Sequence, residues 1–223
     1  ERPAHALPAG EHPAHVVTDR EGRRAFVTDS GAGVVRVFDL ETGQEVARIA
    51  TGRYPHGLRL SPDGRTLYVA AMKADAVSVI DVPSLAETAR IAVGKAPVQV
   101  GFAPDGRLAF VSLSGENRLA IIDVAKRVVI GKVAVGRVPI QMDVTPDGRQ
   151  VYVASQGSAA RPDDRVSVID PATRKTLATV TTGKGAHGVA ASIHGDYVFV
   201  TNIEDATVSV IDTTVPSLTC AAN

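Results

Sequence analysis

Tryptophan is absent from this 223-residue chain, and aromatic residues make up only 4% of it. A core with so few large rings has to be built from Val, Ile, Leu and Ala, which suits thin, interleaved sheets. There is one cysteine, Cys220, so no internal disulfide can form. It opens a terminal Cys-Ala-Ala-Asn that mimics a prenylation box, but nothing else points to a lipid and it reads as a tail residue. Net charge is missing too, because 24 basic side chains balance 24 acidic ones. Nucleic acid held by charge needs a basic face, so no nucleic-acid partner is expected. No apolar run approaches the roughly 18 residues of a spanning helix, so no membrane insertion is expected. Catalytic signatures are equally scarce: there is no Gly-x-Ser-x-Gly, no phosphate-cradling Gly-x-x-x-x-Gly-Lys and no His-x-x-x-His. Glu1 is not an initiator methionine. A cleaved signal peptide or trimming accounts for it, and a signal peptide implies a periplasmic or secreted protein.

What the chain does contain is repetition. Gly10, Gly52, Gly94, Gly136 and Gly183 each open a copy of one unit, at intervals of 42, 42, 42 and 47 residues. A fixed period in this range signals a solenoid, propeller or array. In the copy Gly52–Val93, His56-Gly57-Leu58-Arg59-Leu60 reads as a first strand. Ser61-Pro62-Asp63-Gly64 is a turn in which Pro fixes φ and Gly accepts φ > 0. Thr66–Ala70, rich in β-formers, is a second strand, Ala76–Asp81 alternates with period two as a third, and Ala89–Val93 is a fourth. Four strands in about forty residues make a β-propeller blade.

The expected fold is therefore all-β: a β-propeller of four-stranded antiparallel blades in one domain, 1–223. The last copy has room for three secure strands, although Val215-Pro216-Ser217-Leu218 echoes Val82-Pro83-Ser84-Leu85 as the start of a fourth. Residues 1–9 precede the first anchor where every other copy has a fourth strand. An unpaired sheet edge invites aggregation, so a five-bladed ring closed by that N-terminal strand is expected. The alternative is a fragment of a larger, seven- or eight-bladed ring.

Gly-x-x-Pro, then Pro-Asp-Gly, then Tyr/Phe-Val-x-x, then Val-x-Val-Ile-Asp resembles the YVTN family of β-propeller repeats. Its tetrapeptide stands here as Phe199-Val200-Thr201-Asn202 and, more loosely, Phe26-Val27-Thr28-Asp29. The resemblance covers essentially the whole chain. It implies the company of bacterial surface and periplasmic proteins, of lactonase-like propellers and of the propeller carrying d1-type haem in nitrite reductases. Those relatives look like larger rings, and a fold does not by itself determine an activity.

In a propeller the first strands line the channel. The two positions after the leading Pro (Ala186 in the last copy) are Ala14-His15, His56-Gly57, Val98-Gln99, Ile140-Gln141 and His187-Gly188, with His12 just before Pro13. Were the ring closed, His187, His15 (or His12) and His56 would form one arc on consecutive blades. Converging imidazoles suit copper or zinc, with Gln99 and Gln141 as further ligand-binding groups on the rim. The bland alternative is that each histidine bonds loop carbonyls or water. His5 is expected in the closing strand and His194 at the surface. The third-strand carboxylates Asp39, Asp81, Asp123, Asp170 and Asp212 recur in every copy, which argues for turn formation. Asp143 and Arg59 are expected to answer each other's charge. The five extra residues of the fourth copy fall in Gln156–Arg165, expected as an enlarged loop, either a lid or drift. Three readings of function stay open: a binding module holding a transition metal or small ligand at the channel mouth, a metal-dependent hydrolase or lactonase-like enzyme, and a scaffold that meets a protein partner on that face.

Overall fold

The computed structural model describes residues 6–214. His5, the remainder of 1–5, the Val215–Leu218 echo and Cys220 lie outside the described residues. Contacts divide the chain into two compact units, residues 1–100 and 101–223.

The first unit carries two four-stranded antiparallel sheets. One is β1 (Pro13–Thr18), β2 (Arg24–Asp29), β3 (Val34–Asp39) and β4 (Glu45–Ala50), and the other is β5 (Pro55–Leu60), β6 (Thr66–Ala71), β7 (Ala76–Asp81) and β8 (Ala86–Ala92), each in sequential order. The third sheet, β9 (Pro97–Phe102), β10 (Leu108–Leu113), β11 (Arg118–Asp123) and β12 (Val128–Ala134), begins in the first unit and continues in the second. The second unit adds β13 (Pro139–Val144), β14 (Val151–Ser158), β15 (Arg161–Asp170) and β16 (Lys175–Thr181), and then a three-stranded sheet of β17 (Ala186–Ala191), β18 (Tyr197–Asn202) and β19 (Thr207–Asp212). Four strands per copy is thus what four of the five sheets show.

One register governs all of them. The second-strand aromatic sits opposite a third-strand Val or Ile: Phe26↔Val37, Tyr68↔Val79, Phe110↔Ile121, Tyr152↔Val168 and Phe199↔Val210. Because side chains alternate across a strand, these pairs share one face with Val35, Val77, Leu119, Val166 and Val208. In the first, third and fourth sheets that face packs on the next sheet. In the first unit Phe26, Val35 and Val37 meet Leu58, Leu67, Val69 and Ile80. In the second unit Phe110, Leu119 and Ile121 meet Met142, Val151, Val153 and Ile169, and Tyr152, Val166 and Val168 meet Val198 and Val200. Each such side chain, fully buried, stabilises by about 1.5–3 kcal/mol.

The turns follow the expected chemistry. Asp39 Oδ1 accepts from the Thr42 N–H at 2.8 Å, Asp123 Oδ1 from Lys126 N–H at 2.9 Å, Asp170 Oδ1 from Ala172 N–H at 2.8 Å and Asp212 Oδ1 from Thr214 N–H at 2.9 Å. Asp81 Oδ2 accepts from Ser84 N–H at 2.9 Å. At the other ends of the strands, Asp63 and Asp147 accept the N–H of Arg65 and Arg149 at 3.0 Å, and Gly64 and Gly148 both take φ of 72°.

The described part of the expected closing segment, residues 6–10, forms no strand. Pro8 has no N–H to give a ladder, and Leu7 and Ala9 instead pack on Ala25, Val27 and Phe38 of the first sheet. Nor is Gln156–Arg165 an enlarged loop. β14 and β15 run on as a long hairpin paired to Gly157↔Pro162 and Ser158↔Arg161. Buried Asp163 holds it, taking two bonds from Arg165 at 2.7 and 2.6 Å and the Arg137 N–H at 2.7 Å. Burial pushes the Asp163 pKa up, but these donors outweigh it and the carboxyl stays below its usual value.

Candidate functional site on the first strands

The first strands start irregularly. Register slips between Pro13 and Val16, Pro55 and Leu58, Pro139 and Met142, and Ala186 and Val189. A bulge re-aims the side chains it contains, and His15, His56, Gln141 and His187 all lie in these slips.

In the first unit the slip brings two imidazoles together. His15 is the second residue after its Pro and His56 the first after its own, yet their ring centroids are 4.8 Å apart in an edge-on arrangement at 62°. Both side chains are half-buried. Their backbones are tied by one buried hydroxyl: Thr28 Oγ1 accepts from His15 N–H at 3.0 Å and donates to His56 O at 2.8 Å. Ser30 Oγ adds a bond to Pro55 O at 2.6 Å. His56 Nδ1 lies 3.2 Å from Val98 O. A carbonyl only accepts, so Nδ1 carries a proton and donates it to Val98 O.

Gln99 is buried beside this pair. Its Oε1 accepts from Val100 N–H at 3.2 Å and rests against Gly57, where a Cβ would fall 2.0 Å from that oxygen. His12 is exposed, its carbonyl accepting from Ser30 N–H at 3.0 Å.

In the second unit His187 is half-buried on β17, and burial lowers its pKa, favouring the neutral imidazole. Gln141 is half-buried on β13. Asp143 takes Ala191 N–H at 2.9 Å and Val144 N–H at 3.0 Å. His194 is exposed as expected, at a polar cleft of about 360 Å³ shared with Asp147, Arg149 and Asp196.

Among the described residues no group of three or more His, Cys, Asp or Glu side chains is placed to hold a metal ion. The histidines that do meet are His15 and His56, with Val98 O and Gln99 beside them. Sequence reasoning missed the hydroxyl that frames them. Its signal was present, a Thr or Ser two residues after the second-strand aromatic at Thr28, Ser112 and Thr201. Ser112 Oγ donates to Ile140 O at 2.7 Å, and Thr201 Oγ1 accepts from Gly188 N–H at 2.8 Å.

The model of the YNCE-like β-propeller matches residues 14–161, two thirds of the chain, with His15 and His56 inside the match. The chain belongs to the YNCE-like β-propeller family. The cytochrome D1 heme domain model also matches this YNCE-like chain, over residues 108–220. Among solved structures, Kuenenia stuttgartiensis hydrazine synthase is similar with a TM-score of 0.79 and 25% identity, over 88% of this chain and 56% of that one. The chain thus spans little more than half the length of that relative. No curated protein matches it. Among the described residues no helix is long and apolar enough to cross a membrane.

Proposed function

We propose that this YNCE-like propeller is a binding module that holds a copper or zinc ion, or a small polar ligand in its place, on the first-strand rim through His15 and His56. The observation that carries the reading is the imidazole pair with its proton placed by Val98 O. A metal-bound imidazole characteristically donates its other ring N–H to a carbonyl or carboxylate, which orients the ring and raises its basicity. Two imidazoles on one ion need donor nitrogens a little over roughly 3 Å apart, given Zn–N bonds of about 2.0–2.1 Å. Two protein donors leave further positions to water or ligand.

The cytochrome D1 heme domain match favours a second reading for residues 108–220. His187 suits a haem iron because burial keeps its imidazole neutral. Haem would supply redox chemistry there, while this residue would hold the iron.

One titration series tests both. Copper(II), zinc(II) and haem are titrated into the purified chain by calorimetry and absorbance, alongside His15→Ala, His56→Ala and His187→Ala. The first reading expects about one equivalent of metal and at least a tenfold loss of affinity in each of the first two variants. Equal, weak binding in all four proteins defeats it. A haem spectrum abolished only by His187→Ala supports the second.

A further inference from the structure

The turn between first and second strands carries an acid–Gly–Arg triplet in four copies: Glu21-Gly22-Arg23, Asp63-Gly64-Arg65, Asp105-Gly106-Arg107 and Asp147-Gly148-Arg149. The fifth copy reads His194-Gly195-Asp196, with a base where the acid stood and an acid where the base stood. The backbone does not require this exchange. Gly195 has φ of 80° and gives its N–H to Ser192 O at 2.9 Å, just as Gly148 has φ of 72° and gives its own to Thr145 O at 2.8 Å. The side chains are what change. Asp147 engages Oδ1 with the Thr145 hydroxyl at 2.6 Å and the Arg149 N–H at 3.0 Å, and these donors, the hydroxyl first, hold it below the ordinary carboxylate value. His194 and Asp196 are exposed, and among the described residues their side chains have no hydrogen-bond or ion-pair partner. The two turns abut, since a Cβ at Gly195 would fall 3.3 Å from Pro146 Cδ. Both turns line the polar cleft of about 360 Å³, with Gln150 and Thr213.

We propose that this cleft, separate from the histidine rim, binds a free α-amino acid, its carboxylate held by Arg149 and His194 and its ammonium by Asp147 and Asp196. Small-molecule sites run from roughly 300 to 1,000 Å³, so the occupant is small. An apolar one would strip water from the lining charges without replacing it. A metal ion lacks its ligands, because among the described residues no three His, Cys, Asp or Glu are placed to hold one. A phosphate or dicarboxylate would face two carboxylates, and a simple cation would face a guanidinium; like charges at close range repel. A ligand with both signs on neighbouring atoms answers both. The groups it needs are available. Arg149 Nε stands 3.6 Å from Asp147 Oδ2, a loose pair whose members can each take a ligand group. Gln150 Oε1 accepts from Tyr152 Oη at 2.8 Å, which leaves the amide N–H groups to donate. Guanidinium binds carboxylate through two parallel hydrogen bonds, and such charge-assisted bonds are the strong ones. A quaternary ammonium is held instead on aromatic faces, and no aromatic side chain is among the described residues lining the cleft.

The test screens the full chain by thermal unfolding against the common L-amino acids, each at about 10 mM, and follows the best by calorimetry. At ten times its dissociation constant a ligand should raise Tm by about 3–6 °C in a chain of this size. Arg149→Gln and Asp196→Asn should each weaken binding at least tenfold. Both residues are exposed, so the ligand-free Tm should stay where it is. The carboxamide and the N-acetyl derivative of the same amino acid, each lacking one charge, should also bind at least tenfold more weakly, and glycine betaine should not bind. In a nitrogen-15 spectrum the Gly195 amide should shift on binding. The proposal is overturned if no amino acid raises Tm, or if both variants bind as the wild type does. It is overturned in favour of a plain anion site if the N-acetyl derivative binds as tightly as its parent. A ligand lost in His56→Ala and retained in Arg149→Gln overturns it in favour of the histidine rim.

Discussion

Gly57→Ala probes the packing on which the histidine pair rests. The new methyl would lie 2.0 Å from Gln99 Oε1, 2.4 Å from Val98 O and 2.7 Å from Gln99 Cα. The amide oxygen can rotate away, but the other two atoms are backbone and cannot. Overpacking of this kind costs typically about 1–3 kcal/mol, and two main-chain clashes place Gly57 at the upper end. Gly57 does not have a positive φ, so alanine recovers about 0.4–1 kcal/mol by restricting the unfolded chain. The net loss is about 2 kcal/mol, or a Tm lower by about 4–8 °C for a chain of this length. Circular dichroism melts of the wild type, Gly57→Ala, Gln99→Ala and the double variant close a cycle. Because the obstruction is main chain, trimming Gln99 should not restore stability. The same displacement moves the carbonyl that positions His56, so copper affinity should fall in Gly57→Ala. If the double variant is no less stable than Gln99→Ala, only the flexible amide was in the way and the reasoning is wrong.

Thr28→Val keeps the shape of a fully buried side chain and removes the hydroxyl joining His15 N–H to His56 O. Two half-buried backbone groups lose that partner, so the variant should unfold with about 1–3 kcal/mol less stability and bind copper more weakly; a wild-type melt would show that the hydroxyl is dispensable. Stability should fall with acid in two windows. His187 has a depressed folded pKa through burial, so its contribution is complete above its ordinary 6.5 and declines as pH falls below it. Asp39 and Asp123, held down first by the N–H groups of Thr42 and Lys126, and Asp81 and Asp170, held down first by the hydroxyls of Ser84 and Thr173, contribute fully above 3.8 and lose that contribution only below it. Melts between pH 7 and 3 should therefore show the upper step vanish in His187→Asn and the lower step remain; an upper step unchanged in that variant refutes the assignment.

The sheets were legible because packing repeats whatever the strand sequence must satisfy. An aromatic opposite Val or Ile recurs at intervals of 42, 42, 42 and 47 residues, and within each unit sheets meet through the face that carries it. The histidine pair was half legible. Position in the repeat brought His15 and His56 to notice, but they stand one residue out of phase, and only the register slip after each Pro reconciles them. That slip leaves no mark in periodicity. Gln156–Arg165 misled because Gly157, Pro162, Asp163 and Asp164 are turn formers. Their strand conformation depends on a carboxylate satisfied by Arg165 and by a distant backbone N–H. In the segment before Gly10, Leu7 and Ala9 are apolar because they pack on a sheet face.

The hydroxyl of Thr28 and that of Ser112 grip main-chain atoms and leave the side chains of the clasped residues out of the bond. At one such clasp the residue whose carbonyl is held is His56, and at the other it is Ile140. Imidazole and hydrocarbon are thereby interchangeable at a position whose backbone stays put. An evolving lineage, or a designer, can rewrite what this rim recognises one residue at a time while the scaffold beneath is unaffected.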